Sequence, residues 1–262
     1  SKSTDVDGNG SFDQIISANK TQNADGSETV ITENRSGDGS LISKEENWVT
    51  ADKRGKLVRT DSDGDGNINT EIGSTIGADG GEFVENRTLT NTGALLSRTT
   101  TVTSANKLNI YQTVDVDGDG IIDRVHNQYT DLPADGSSYT SRTTSANDGS
   151  VIRQGVKWVS GNGMNESSQS DLNGDWVYDE TTNRNTAVED GGTVRIIETK
   201  LSGSSVASRS TVRTSANGLI STVEQDFDGN DAVDDVTTTT KALLASGAVV
   251  ETVTKRSGNN TL

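Results

Sequence analysis

Five nonapeptides gather the densest clusters of oxygen-bearing side chains that could do chemistry in this chain. They are DVDGNGSFD from Asp5, DSDGDGNIN from Asp61, DVDGDGIID from Asp115, DLNGDWVYD from Asp171 and DFDGNDAVD from Asp226. Numbering each loop 1 to 9, positions 1, 3 and 5 are always Asp or Asn: Asp5, Asp7 and Asn9; Asp61, Asp63 and Asp65; Asp115, Asp117 and Asp119; Asp171, Asn173 and Asp175; Asp226, Asp228 and Asn230. Alternate oxygen side chains on a tightly curled loop can point at one centre. Calcium, a hard ion, takes six to eight oxygens at about 2.3–2.6 Å. Position 7 would add a backbone carbonyl, which leaves its side chain free to vary: Ser11, Asn67, Ile121, Val177 and Ala232. Position 9, Asp13, Asn69, Asp123, Asp179 or Asp234, would close the site.

This is the front half of the EF-hand ligand scheme without its bidentate Glu, since position 12 is Ile16, Ile72, His126, Thr182 or Thr237. Magnesium demands a smaller and stricter octahedron, so calcium is the expected ion, at about five sites. The loop from Asp171 departs furthest, because Trp176 stands at position 6 where such loops want glycine. Position 4 is glycine in every copy, and position 8 is always bulky and apolar (Phe12, Ile68, Ile122, Tyr178, Val233), as a loop anchor should be. The charge balance agrees. Positions 1, 3, 5 and 9 hold 16 of the 39 acids; the remaining 23 equal the 23 Lys and Arg, so the net charge of −16 resides in the loops. Five acidic hairpin turns are the bland alternative.

The first aspartates lie 56, 54, 56 and 55 residues apart. A second similarity appears at twice that period. NADGSETV at 23–30 is answered by PADGSSYT at 133–140, Trp48-Val49 by Trp158-Val159, and VTSANKL at 102–108 by VRTSANGL at 212–219. The repeats therefore alternate as A-B-A-B, with boundaries at 1–60, 61–114, 115–170, 171–225 and 226–262. The last is a partial A repeat, in which RSGNNTL at 256–262 matches RSGDGSL at 35–41. Turn residues recur every 8 to 12 positions around runs rich in Thr, Val and Ile, which read as hairpin strands. The expectation is all-β, about four antiparallel strands per repeat, in a linear array of small sandwiches or barrels and not a five-bladed propeller.

Only 29% of the chain is hydrophobic and 4% aromatic, against roughly 45–50% apolar in typical usage with Gly counted. One thick core is not expected. There is no cysteine, hence no disulfide and no thiolate zinc site. No apolar run approaches a membrane span, and the acidic balance argues against nucleic acid. The opening SKSTDVDG reads as neither a signal peptide nor a natural start, so a slice of a longer array is expected. His126 is the single histidine, and without a second base or a thiol no base–nucleophile pair can be built. No enzyme is expected. Trp48 and Trp158 read as repeated core anchors, with a sugar-stacking platform as the alternative.

The D-x-D-x-D-G-x-x-D pattern, clearest in DVDGDGIID and DSDGDGNIN, resembles the calcium loops of FG-GAP propeller blades and thrombospondin type 3 repeats. With VTSANKL and VRTSANGL, the texture of nearly the whole chain resembles repeat regions of large secreted bacterial calcium-binding proteins of the RTX and adhesin kind. The glycine-rich nonapeptide of RTX β-rolls is missing, so no β-roll is implied. The resemblance implies an extracellular or cell-surface extender or scaffold, stiffened by calcium and by contact with neighbouring repeats. A calcium-dependent adhesive module with a glycan or surface partner is the alternative.

Overall fold

The computed structural model describes residues 1–202 and 205–258; the last four residues of the RSGNNTL match, 259–262, lie outside them. Short runs of β-branched residues between Asp-Gly and Asn-Gly turns can satisfy their backbone N–H and C=O groups in antiparallel ladders. Every regular element follows that rule, and among the described residues there is no helix.

The chain divides into two compact units, Ser1–Gln128 with Thr144–Ser150, and Tyr129–Thr143 with Val151 onward. The first contains β1 (Lys2–Thr4), β2 (Gln14–Gln22), β3 (Glu28–Ser36), β4 (Leu41–Val49), β5 (Gly55–Asp61), β6 (Thr70–Ile76), β7 (Glu82–Leu89), β8 (Leu95–Thr103) and β9 (Asn109–Asp115). Residues of β10 (Arg124–Asp131) and β11 (Ser138–Ala146) are divided between the units. The second contains β12 (Val151–Val159), β13 (Asn165–Asp171), β14 (Glu180–Glu189), β15 (Gly192–Leu201), β16 (Val206–Thr214), β17 (Ile220–Asp226), β18 (Asp235–Leu243) and β19 (Val249–Ser257). Each full repeat thus supplies four strands, β2–β5, β6–β9, β10–β13 and β14–β17.

Within each unit every strand pairs antiparallel with the next in sequence, from β1 to β9 and from β12 to β19. A propeller would interrupt the ladder after every fourth strand to start a new blade. Here β5 pairs with β6 straight across the first repeat boundary, through Thr60↔Thr70 to Gly55↔Thr75. Within each unit the sheet is open, closing into neither barrel nor ring, as a linear array requires and a propeller does not.

The expected sandwiches do not form. In each unit a strand touches only its chain neighbours, so the sheet is one layer thick. Val194 and Val236 are the buried hydrophobic residues among those described. A chain this polar lacks the apolar surface for a second layer, and Trp48 and Trp158, expected in a core, remain 36% and 40% exposed.

Cross-strand pairs take over the work of a core. In the first unit a lateral row runs Glu46↔Arg59↔Glu71↔Arg87↔Arg98↔Asp115 across β4 to β9. Arg59 meets Glu71 at 2.8 Å, and Arg87 meets Glu85 at 3.0 Å. Exposed pairs of this kind each contribute about 0.2–1 kcal/mol. His126 joins the ladder modestly, its Nδ1 lying 2.9 Å from the Thr144 hydroxyl.

The strand ends differ. Because each connection reverses the chain, the loops from Asp5, Asp61 and Asp115 leave the same end of the first unit, and those from Asp171 and Asp226 share one end of the second. Four strands at about 4.8 Å set successive loops in the first unit roughly 19 Å apart. The opposite end carries short hairpins such as Asn23–Ser27, closed by Asn23 N–H to Ser27 C=O at 2.8 Å.

Candidate metal centres

Each nonapeptide is a hairpin connection that its own aspartates fold. Position 1 ends a strand in four loops and directly follows β1 at Asp5, and its carboxylate turns back to accept two loop N–H groups. Asp61 accepts from Gly64 at 2.7 Å and Gly66 at 2.9 Å; Asp115 accepts from Gly118 at 2.7 Å and Gly120 at 3.1 Å. Asp5, Asp171 and Asp226 repeat the pattern with positions 4 and 6 of their loops. The position 9 side chain accepts the N–H of position 2, as Asp123 does from Val116 at 2.7 Å and Asn69 from Ser62 at 2.6 Å. Position 5 accepts the N–H of position 7, as in Asp119 with Ile121 at 2.7 Å. Loop closure comes from position 9 donating to the carbonyl just before position 1, for example Asp123 N–H to Val114 C=O at 2.8 Å.

Glycine at position 4 is required twice over. Its φ is positive, between 70° and 77° in all five loops. A Cβ there would also lie 2.2 Å from the Leu41 carbonyl oxygen at Gly64, 2.3 Å from that of Leu95 at Gly118, 2.0 Å from Val151 at Gly174 and 1.8 Å from Val206 at Gly229. Each of those loops therefore rests on the backbone at the start of the strand two places earlier. At Gly8 a Cβ would meet nothing within 4 Å.

Position 1 is buried in four loops: Asp61 is 1% exposed, Asp115 and Asp171 0%, and Asp226 5%. Burial pushes the Asp226 carboxyl up, but N–H groups from Gly229, Asp231 and Asn230 outweigh it and hold the group below the usual carboxylate range. Asp171 is opposed by burial in the same way and held low by the Gln154 amide with the N–H groups of Gly174 and Trp176. At Asp5 the Gly10 N–H is the main cause of a lowered value.

Three carboxylates converge in four of the loops: Asp5, Asp7 and Asp13; Asp61, Asp63 and Asp65; Asp115, Asp117 and Asp123; Asp226, Asp228 and Asp234. In each group the oxygens lie within 4.8 Å of one another. Two oxygens on opposite sides of a calcium ion stand about 4.6–5.2 Å apart, so all three fit one coordination shell. The donors are hard oxygens throughout, which suits Ca²⁺ or Mg²⁺ and not the metals that prefer nitrogen or sulfur. Bonds to N–H do not exhaust them, because an ionised carboxylate offers about four acceptor sites. These groups can hold a metal ion.

The remaining candidate ligands divide. Asp119 stands outside its triad and serves Ile121. Asn9 and Asn230 hold the N–H groups of Ser11 and Ala232. Asn69 is bridged to the next hairpin through Asn91, whose amide also reaches Asp63 at 3.1 Å. The position 7 side chains are all exposed, in keeping with a backbone role there. In the loop from Asp171 no triad of acids gathers among the described residues. Asn173 replaces the acid at position 3, and it exchanges hydrogen bonds with Asp175.

No family model and no curated protein sequence matches this chain.

Two further features bear on the loops, the first visible in DFDGNDAVD itself and the second only in the ladder. Asp231 is a second non-glycine residue at position 6, and it shares the left-handed conformation of Trp176, with φ of 66° and 68°. Opposite position 1, across the ladder, stand Lys44, Arg98, Gln154 and Arg209, paired with Asp61, Asp115, Asp171 and Asp226. Their signal in the sequence is a constant spacing of 17 residues before each aspartate. Gln154 donates directly to Asp171 Oδ2 at 3.1 Å. Lys44 bonds Glu46 at 2.6 Å and Arg209 bonds Glu198 at 2.8 Å, so both are held by a glutamate on the same face.

Proposed function

We propose that the chain is a calcium-binding structural repeat module, an extender or scaffold segment without catalytic activity. The observation that carries this reading is the recurrence of three-carboxylate groups in the long loops of both units, whose sheets have almost no apolar core. Ions bound there would neutralise mutual repulsion and fasten each loop to the strands beneath it. Because the ion binds the folded loop, its free energy of binding adds to folding. A site at 100 times its dissociation constant contributes about 2.7 kcal/mol. The resemblance to secreted bacterial arrays supports an extracellular or cell-surface setting, where calcium is abundant.

The deciding test is thermal unfolding followed by far-UV circular dichroism, in EDTA and across a calcium titration, with magnesium as control. A melting temperature that climbs with calcium and far less with magnesium is expected, with calorimetry counting four strong sites. An identical melt in EDTA and in millimolar calcium would reduce the nonapeptides to acidic turns.

A further inference from the structure

The two full A repeats, which carry Trp48 and Trp158, differ in what stands beside the indole. In the first unit the lateral order is Trp48↔Leu57↔Gly73↔Glu85, with Thr75↔Phe83 one step along the strands on the same face. In the second the corresponding order is Trp158↔Ser167↔Asn183. Gly73 leaves the floor empty where Asn183 fills it, and Asn183 is bonded to the Ser167 hydroxyl at 2.8 Å. In the ladder the place of Phe83 is taken by Ile196, opposite Asn185, an aliphatic side chain where the first unit has an aromatic one that is 43% exposed. The repeat keeps its tryptophan and the glutamate three strands away (Glu85, Glu198), and changes the residues between them.

The result is a shallow groove of about 530 Å³ on the sheet face of the first unit, within the range of small-ligand sites. Trp48 and Phe83 form opposite walls three strands apart, roughly 14 Å, with Leu57 and Gly73 between them. The rim is already fixed. Trp48 Nε1 donates to the Ser27 hydroxyl at 3.3 Å, and Arg54 Nε donates to the Ile76 carbonyl at 3.0 Å. Asp52, Glu85 and Arg54 line the groove, while Lys56, next to Leu57 on β5, alternates to the other face. Two aromatic faces over an apolar floor, ringed by carboxylate and hydroxyl acceptors, match a ligand with an apolar face and an uncharged rim of hydroxyls.

We propose that this groove binds a neutral glycan, with Trp48 and Phe83 covering sugar faces and Glu85, Asp52 and Thr75 receiving hydroxyls. It stands apart from the nonapeptides and needs no metal.

The test is affinity electrophoresis of the folded protein in calcium buffer through gels containing dextran, mannan or xyloglucan, with alginate as an acidic control. Gly73→Asn is the sharpest variant, because a Cβ at Gly73 meets nothing closer than Leu57 Cδ1 at 4.0 Å and asparagine already occupies the matching position. Retardation by a neutral polysaccharide is expected, weakened at least tenfold in Gly73→Asn and in Trp48→Ala and unchanged in Trp158→Ala, with all variants showing the parental circular dichroism. Three results overturn the proposal: no retardation in any neutral gel, retardation by alginate alone, or equal loss in Trp158→Ala. Binding of an apolar dye at Trp48 without retardation would assign the groove to an apolar partner instead, and would also overturn it.

Discussion

The loops Asp115–Asp123 and Asp171–Asp179 follow the same backbone path with different side chains. In both, a fully buried aspartate accepts the N–H groups of positions 4 and 6, and position 9 accepts that of position 2. Yet three carboxylates converge in the first and not in the second. Loop shape is therefore separable from ligand content. Asp at position 1 and Gly at position 4 specify the shape, while positions 3, 5 and 9 decide how many carboxylates face the centre. A loop can lose metal capacity and still serve the array as a turn.

Removing position 1 should break the shape in both loops alike. Asp115→Ala and Asp171→Ala each strand two loop N–H groups, at about 1–3 kcal/mol per unsatisfied donor. In EDTA the two variants should lose similar stability by chemical denaturation. In calcium, Asp115→Ala should lose one calorimetric site as well, and Asp171→Ala none. A much milder loss for either variant in EDTA would mean that its carboxylate is not organising the loop.

The converse substitution adds a ligand without altering the shape. Asn173→Asp gives the fourth loop acids at positions 1, 3, 5 and 9, matching the third. The calorimetric count should rise from four to five, and calcium should raise the melting temperature further, by an amount set by the new dissociation constant. Retention of Gln154, neutral where Arg98 and Arg209 are cationic, favours the gain, since no positive charge opposes position 1. An unchanged count would show that Trp176 or the local backbone keeps the carboxylates apart.

Much of this was legible in the sequence. The period of about 55 residues, four strands per repeat and the all-β class follow from turn chemistry and β-branched runs, which are local signals. Sequence also pointed to Asp171–Asp179 as the divergent loop, but through Trp176, whereas the divergence in ligand content falls at Asn173: the fifth loop also lacks glycine at position 6, at Asp231, and still gathers a triad. The single layer was not read, because sheet-on-sheet packing depends on whether enough apolar area exists to join two faces. Half-exposed Trp48 and Trp158 mimic core anchors when only their repetition is visible. The partners of position 1 were missed because they come from the neighbouring strand, and their spacing of 17 has meaning only once the register is known.

A smaller effect separates the loops at position 6. Gly120 adopts φ of 88° freely, whereas Trp176 is held at 68° with its side chain 71% exposed. Trp176→Gly should relieve a left-handed strain of about 1 kcal/mol, partly offset by the greater freedom glycine has when unfolded. The net expectation is a stabilisation of a few tenths of a kcal/mol. At position 6 of the fifth loop, Asp231 also pairs with Arg209, so Asp231→Gly should gain less. A destabilised Trp176→Gly would reveal packing on the indole that its exposure denies.

The faintest difference lies between loop and hairpin aspartates and is read through pH. Asp38, in the hairpin following β3, is pulled down to about 2 by the hydroxyls of Ser36 and Ser40 and the Ser40 N–H. Asp25, Asp135 and Asp148 are lowered in the same manner, each by the serine two residues on. A carboxyl whose value is lower in the folded chain contributes stability above its unfolded value, near 4, and loses it as pH falls through the folded value. Metal-free protein should therefore lose stability as pH falls below about 4, as the lowered hairpin carboxyls and the lowered loop carboxyls of Asp5, Asp65, Asp171 and Asp226 protonate, Asp38 doing so at about 2. All four hairpin groups are exposed, so Asp38→Asn should flatten that limb by only roughly 1–2 °C in melting temperature. With calcium bound, protons must also displace the ion from the loops, so the acid limb should shift to higher pH as calcium is diluted, while the Asp38 contribution stays where it was. Melts at matched pH with and without calcium would separate the two. If the Asp38→Asn difference moved with calcium, the hairpins would be coupled to the loops, and the division between shape and ligand content would not extend beyond the nonapeptides.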